Sequence, residues 1–475
     1  MEREYSDRHT EELARIRHRR ITLAILSVAA GIISIVTILW RASVPPPESP
    51  TVLAPAGRRV APIGMTMALP PIDGREARSQ IVPSDAATHI IYPVYYGTDR
   101  LPKSPFGGVP WGTMVLWITA HAAAVATAMC FIVKWNKLGV VLLLVSAGFA
   151  LWAWSPEPAK INPLAAAAYG HDRDDLLRYG VCTVSIPLSH ESGALETPSL
   201  LSFEFREEAD KHIVLQHVNP MKLNEFTNNL RNQVEDSAWP EALVFIHGYN
   251  VTFEDAARRT AQIAHDIKFG GVAAVFSWPS IGDTPGYTWD EESARWAIPH
   301  LTEFLQTLAK EGQLKRIHVI AHSMGNRCLF ESLRGKPDLG ECRIDQCVFA
   351  APDIDRAIFK RDFQDIVSEK IPESRRIANI TLYASDKDKA LAASQVVHRY
   401  PRAGDAGGGV VLVDGVESIE ASKLETDYLG HSYVGDSANV IADLRQMIDD
   451  RLMAGERKKM IEKKVGSQKY WVFQP

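Results

Sequence analysis

The chain has 475 residues, enough for one large globular domain or two ordinary ones with accessory segments. A formal charge of −5 carries no basic excess and argues against nucleic acid as a partner, while 23% charged residues is ordinary for a folded domain. The five cysteines, at 130, 182, 328, 342 and 347, do not make a disulfide framework in a chain of this size. Cys342 and Cys347 bracket a short polar loop and would pair only in an oxidising compartment; the plainer reading is two free thiols beside a buried strand. No Cys/His spacing resembles a zinc site, so neither a metal nor a cofactor is expected.

Residues 21–40, ITLAILSVAAGIISIVTILW, contain no charge. A helix of that length rises about 30 Å, the thickness of the hydrocarbon core of a bilayer. The flank Arg41-Ala42-Ser43 precedes three prolines and has no pattern for signal-peptide cleavage. The run therefore predicts an uncleaved transmembrane helix over 21–41, behind a cytoplasmic segment 1–20. Residues 42–87, rich in Pro and Ala, predict an extended linker.

Two more apolar runs, 112–133 and 138–154, are joined by Lys134-Trp135-Asn136-Lys137 and predict a transmembrane hairpin. Trp40, Trp111, Trp135, Trp152 and Trp154 stand at run ends, where indoles favour the membrane–water interface. Arg15, Arg17, Arg19 and Arg20 precede the first run. These arginines and the two linking lysines all face the cytoplasm if the N-terminus does. The expectation is an integral protein of a bacterial inner membrane, with 42–111 and 155–475 on the extracytoplasmic side.

A first strand region is expected over 88–111 and the main α/β domain over 155–475. Strand patterns cover 88–97, 181–188, 200–205 and 212–218, followed by a helical pattern over 221–234. From Ala242 the rhythm is regular. Strand ALVFIH precedes a helix over 253–267, VAAVFSW a helix over 290–309, and RIHVIAH a helix after Met324. DQCVFAA precedes a helix over 356–368 and ANITLYAS one over 389–397, with a last helix over 438–452. Continuous apolar strands alternating with amphipathic helices predict a mostly parallel sheet covered on both faces, which binds ligands at the carboxyl ends of its strands.

The informative residues follow those strands. After RIHVI comes Ala321-His322-Ser323-Met324-Gly325, a strand-to-helix turn of the kind that carries a nucleophilic serine. The usual first glycine is replaced by Ala321, which still fits a tight turn. Strand ALVFI ends in His247-Gly248-Tyr249-Asn250, and the amides of Tyr249 and Met324 would form an oxyanion hole. His247 reads as a packed histidine organising that loop. With Trp278 and Tyr287 it is also a candidate to line the substrate site, and Trp289 and Trp296 are further aromatic candidates.

The base should follow the nucleophile in sequence. His398 closes a helix and reads as a surface residue, so His431, in the loop before the final helix, is the favoured base. Three aspartates past strand ends compete for the acid: Asp388, with Asp386 and Asp353 as alternates.

Taken together, YPVYYGTDR (92–100), YGVCTVSIP (179–187), VFIHGYNVTFEDAARR (244–259), FSWPSIGDTPGYTWDEESA (276–294), AHSMGN (321–326), AAPDID (350–355), LYASDKDKAL (382–391) and LGHSYV (429–434) resemble an uncharacterised, mostly bacterial α/β-hydrolase family. It is classed as a domain of unknown function within the esterase/lipase superfamily. The likeness covers most of 88–475 and implies a triad of Ser323, Asp388 and His431. In that family the YYGTDR and YGxxxVSIP strands belong to one domain. Here 112–154 lies between them, and an even number of spans returns the chain to the same side.

The function expected is hydrolysis of a carboxylic ester, on a small-molecule or lipid substrate, through an acyl-enzyme on Ser323. The same triad would serve an amidase or acyltransferase. A different class is a membrane-anchored scaffold that keeps the fold without the chemistry.

Overall fold

The computed structural model describes residues 88–103, 169–198, 204, 207–282, 286–367, 377–424 and 433–474. The chain divides into two compact units, 1–67 with 104–157 and 68–103 with 158–475, and every described residue belongs to the second. The three expected spans, 21–41, 112–133 and 138–154, lie outside the described residues, as does the linker. Among the described residues no helix is long and apolar enough to cross a membrane.

One sheet of eleven strands organises the fold, in the order β10-β11-β9-β8-β7-β6-β4-β5-β1-β2-β3. The strands are β1 (His89–Pro102), β2 (Tyr169–Pro187), β3 (Val214–Met221), β4 (Glu241–Ile246), β5 (Val272–Ser277), β6 (Arg316–His322), β7 (Arg343–Ala350), β8 (Asn379–Ala384), β9 (Glu417–Glu420), β10 (Met460–Val465) and β11 (Gln468–Phe473). From β1 through β5, β4, β6, β7, β8 and β9 to β11 every pairing is parallel. The antiparallel strands β2, β3 and β10 close the two sides. β4, β5 and β8 are buried at every position, which is why they read as unbroken apolar runs rather than alternating ones.

The helices are α1 (Leu223–Asp236), α2 (Phe253–Asp266), α3 (Tyr287–Trp296), α4 (Ile298–Gln306), α5 (Gly325–Arg334), α6 (Arg356–Asp362), α7 (Gln364–Val367), α8 (Lys389–His398), α9 (Tyr433–Asp436) and α10 (Ala438–Ile448). They give the sheet a core on each face. Phe226, Leu301, Phe304, Leu329, Phe330 and Phe359 fill one, and Phe253, Ala261, Ile263, Val440, Leu444 and Met447 the other. Thr252 starts α2 by accepting from the amide of Asp255, satisfying a donor that the first turn leaves open.

Several boundaries differ from the sequence expectation. The helix expected over 290–309 is three pieces: α3, α4 and a wider π turn over Thr307–Glu311. Pro299, at the start of α4, has no N–H for the preceding turn, so one helix cannot run through it. The helix expected over 356–368 splits into α6 and α7. The short, polar β9 and the charged hairpin β10–β11 had no expected counterpart. The strand expected over 200–205 falls outside the described residues apart from Glu204. Cys182, Cys328, Cys342 and Cys347 are all free, so Cys342 and Cys347 do not pair.

Candidate active site at the β4–β6 switch point

The chain visits β4, β5 and β6 in turn, but the sheet places β5 and β6 on opposite sides of β4. That reversal sets the topological switch point at the carboxyl ends of β4 and β6, where open α/β sheets bind ligands. Ile246 of β4 is in register with Ala321 of β6. Gly248 and Ser323, each two residues further along, therefore emerge side by side.

Ser323 has φ 51°. A left-handed backbone costs a residue with a side chain about 1–2 kcal/mol, so the surrounding structure must impose it. The Ser323 amide donates to the Ala350 carbonyl at 2.9 Å, and the amides of Asn326 and Asp353 both donate to the Ser323 carbonyl at 3.2 Å. Buried Asn326 adds side-chain bonds of 3.0 Å to the carbonyls of Ser323 and Ala350. Two glycines make room for the turn. A Cβ on Gly325 would lie 2.2 Å from the His247 carbonyl oxygen, and one on Gly248 would lie 2.8 Å from Ser323 Cβ. The turn after β6 and the loop after β4 thus press backbone against backbone. Tyr249 follows Gly248 in that loop, and Met324, fully buried, leads into α5.

The loop is held from behind by Arg100, a buried guanidinium at the end of β1. It donates to the carbonyls of Gly170 (3.0 Å), Ser280 (2.9 Å) and Val251 (2.8 Å) and to the Ser277 hydroxyl (2.9 Å). Burial lowers its pKa to about 10. Its last contact is His247 Nε2, at 3.3 Å. Burial, then the Arg100 charge, holds the His247 pKa well below the ordinary histidine value, so the ring is neutral. Nδ1 lies 2.8 Å from the Gly248 carbonyl and Nε2 3.1 Å from the Trp278 carbonyl, so the ring ties the Arg100 network to the backbone on both sides. Trp278 stacks on the ring at 4.9 Å and donates its indole N–H to the His247 carbonyl at 2.7 Å.

Both rings are fully buried. The structure places both rings in the wall behind the loop, His247 as a packed side chain with Trp278 stacked on it. Asp290 completes the support, accepting from the Ser280 hydroxyl (2.5 Å) and from the amides of Ile281 (2.8 Å) and Asn250 (3.1 Å).

The candidate acids differ in their surroundings. Asp388 is buried past β8 and caps α8, accepting from the Leu391 amide at 2.9 Å. Asp386 is exposed. Asp353 is buried past β7, and its carboxylate takes the hydroxyls of Tyr287 (2.5 Å) and Ser394 (2.6 Å) beside the guanidinium groups of Arg402 (3.2 Å) and Arg327 (3.3 Å). Burial would raise its pKa, but Arg327 with the two hydroxyls and Arg402 outweighs burial and holds it below the usual carboxylate range. Tyr287 is half-buried, its ring 5.4 Å from that of Tyr249. His398, expected on the surface, is half-buried, with Nδ1 2.9 Å from the Ser394 carbonyl and Nε2 3.2 Å from Glu291. His431 lies outside the described residues.

Sequence reading passed over Arg100, Asp290, Ser280 and Asn326 as site-building residues. Arg100 and Asn326 close two of the motifs quoted above, and a polar residue at the end of an apolar strand was the available signal. Among the described residues no cluster of His, Cys, Asp and Glu is arranged to hold a metal ion.

No curated protein matches the chain. Among solved structures it resembles a lipase-esterase related protein from Clostridium acetobutylicum ATCC 824, with 11% identity, 45% of this chain and 96% of that one covered, and a TM-score of 0.24. It also resembles a thermostable esterase from Pseudomonas putida ECU1011, with 12% identity, 56% and 76% covered, and a TM-score of 0.23. Residues 222–451 match the model of a family described as "Alpha/beta hydrolase of unknown function (DUF900)". That stretch runs from the start of α1 past the end of α10 and includes the loops after β4 and β6, so over these residues the chain is similar to that uncharacterised α/β-hydrolase family.

Proposed function

We propose that the protein is a membrane-anchored serine hydrolase that cleaves carboxylic esters through an acyl-enzyme on Ser323. His431 takes the hydroxyl proton as Ser323 Oγ attacks the acyl carbon, and Asp388 orients the imidazole and stabilises its charged form. The amides of Tyr249 and Met324 receive the oxyanion. His431 then returns the proton to the leaving alcohol, and activates the water that releases the acid. No step calls on a metal or cofactor.

The observation that carries this reading is the strained backbone of Ser323 at the switch point, locked against Gly248. A left-handed φ held by four hydrogen bonds, at a serine between a buried strand and a helix, is the turn that presents a nucleophile. Asp388 is favoured over Asp353 because Asp353 has both oxygens committed to the Tyr287, Ser394, Arg327 and Arg402 cluster. Asp386 is exposed, where a carboxylate orients an imidazole poorly. Anchoring rests on the uncharged runs 21–40, 112–133 and 138–154, and the basic residues flanking them put the catalytic unit outside the cytoplasm.

The test is hydrolysis of p-nitrophenyl esters of increasing chain length by the detergent-solubilised full chain, beside Ser323→Ala and His431→Asn. Turnover by the parent and background rates for both variants are expected. Equal turnover by Ser323→Ala would overturn the assignment.

A further inference from the structure

Large apolar side chains are exposed on two neighbouring parts of the molecule. In the first, Leu176 is 63%, Trp289 46% and Trp296 37% exposed. The Arg173 guanidinium lies 5.8 Å from one indole and 6.0 Å from the other, tying the start of β2 to α3. In the second, at the end of α8, Val396 is 80%, Val397 59% and Tyr400 64% exposed. The two meet through α3 and α8, where Glu291 lies 3.2 Å from His398 and Tyr287 2.8 Å from Ser394. Single exposed apolar residues are ordinary; six grouped around one pair of helices mark an interaction surface.

The path of the chain points to what such a surface would meet. β1 runs parallel to β5, β5 to β4, and β4 to β6. β1 therefore ends, at Pro102, on the sheet edge that carries Ser323. β2 starts from the same edge, with Tyr169 paired to Pro102. The sequence between them holds the uncharged runs 112–133 and 138–154. Only residues 103–111 separate Pro102 from the first run, a tether of at most about 30 Å.

Resting on the membrane-anchored reading above, we propose that Leu176, Trp289, Trp296, Val396, Val397 and Tyr400 seat the Ser323 edge of the sheet in the headgroup region of a lipid bilayer. The switch point then faces lipid. Indoles and tyrosines settle at that boundary because one end is apolar and the other forms hydrogen bonds. Asp172 and Asp175 are exposed beside Arg173, so apolar burial, not attraction to anionic headgroups, supplies the contact.

The test uses the full chain in phosphatidylcholine nanodiscs. The described cysteines are all buried, so in a Cys130→Ser background a fluorescent nitrobenzoxadiazole group is attached to Trp289→Cys, Val397→Cys or, as control, Val465→Cys. Val465 is 60% exposed at the β10–β11 turn, at the amino end of β11 and so on the opposite edge of the sheet. Doxyl-labelled phosphatidylcholine is expected to quench the probe at 289 and 397 and spare it at 465. A blue-shifted probe that lipid does not quench means that protein covers the rim, a second copy or the inserted segment, and overturns the proposal. So does an unshifted, unquenched probe at 289 and 397. Extraction by alkaline carbonate shows whether the chain is integral, and fluorophosphonate labelling shows whether Ser323 is active. A protein released by carbonate sinks the anchored reading and this proposal with it; a retained, labelled protein with unquenched probes sinks this proposal alone.

Discussion

The guanidinium of Arg100 lies 3.3 Å from Nε2 of His247, the buried ring on which the loop after β4 is built. The two ring nitrogens also lie 2.8 Å from the Gly248 carbonyl and 3.1 Å from the Trp278 carbonyl, so the imidazole bridges Arg100 to the backbone of both loops. The Gly248 loop is thereby held at the height that meets Ser323.

Replacing this arginine should therefore be costly. Arg100→Met strands the carbonyls of Gly170, Val251 and Ser280 in the interior. Each unpaired buried acceptor costs about 1–3 kcal/mol, so a loss of at least about 3 kcal/mol is expected in urea unfolding of the solubilised protein. Arg100→Lys should recover little of it, because one ammonium cannot reach carbonyls set in a fork around a planar group.

Gly248→Ala tests the close approach at the switch point. Its Cβ would sit 2.8 Å from Ser323 Cβ, 3.0 Å from His322 Nδ1 and 3.1 Å from the His322 carbonyl oxygen, so the loop must retreat. Retreat moves the Tyr249 amide away from the developing oxyanion, and the loss of one such donor costs about 10²–10³-fold in kcat. That fall, with the unfolding midpoint little changed, is the expected outcome in ester hydrolysis assays.

The acid assignment separates two neighbouring aspartates. Asp388→Asn should slow acylation of Ser323 by about 10⁴-fold, the size seen when the orienting carboxylate of a serine triad becomes an amide. Asn caps a helix as well as Asp does, so the same change should leave the α8 cap and the thermal unfolding midpoint nearly unchanged. Asp386→Asn, at an exposed position, should leave acylation within a few-fold of the parent. Equal effects at the two positions would remove the distinction.

Much of this arrangement was legible in the sequence, for a physical reason. A strand buried on both faces must be apolar throughout, so β4, β6, β7 and β8 announced themselves, and the glycine and serine turns following them gave the candidate site. Short, polar or exposed strands did not: β9 has four residues, two of them glutamates, and β10 is mostly exposed with lysines and a glutamate. The supporting network was equally hidden. An arginine in YYGTDR looks solvated until the tertiary fold surrounds it with carbonyls, and burial of a polar group is not written in local pattern. The depth at which Trp278 lies was hidden for the same reason, since aromatic residues near a site look alike in sequence whether they face the substrate or the core.

Acid stability should trace to Glu241, buried at the start of β4. Burial would raise its pKa, but His318 (2.9 Å), Arg316 (2.6 Å) and Arg451 (2.8 Å) prevail and lower it to about 2. A carboxylate depressed in the folded state adds stability that is complete above its unfolded pKa and is lost as pH falls toward its folded one. The contribution is on the order of 2 kcal/mol. Glu241→Gln should be less stable than the parent at pH 7, and the gap should close between pH about 4.5 and about 2. Chemical unfolding at stepped pH measures it, and a gap that stays constant with pH would contradict the account.

Fluorophosphonate labelling of the full chain in detergent, with mass mapping of the adduct, decides whether Ser323 is an activated nucleophile. One adduct is expected, on Ser323, lost in His431→Asn as well as in Ser323→Ala. A folded protein that takes no label at Ser323, or takes it equally without His431, would contradict that assignment.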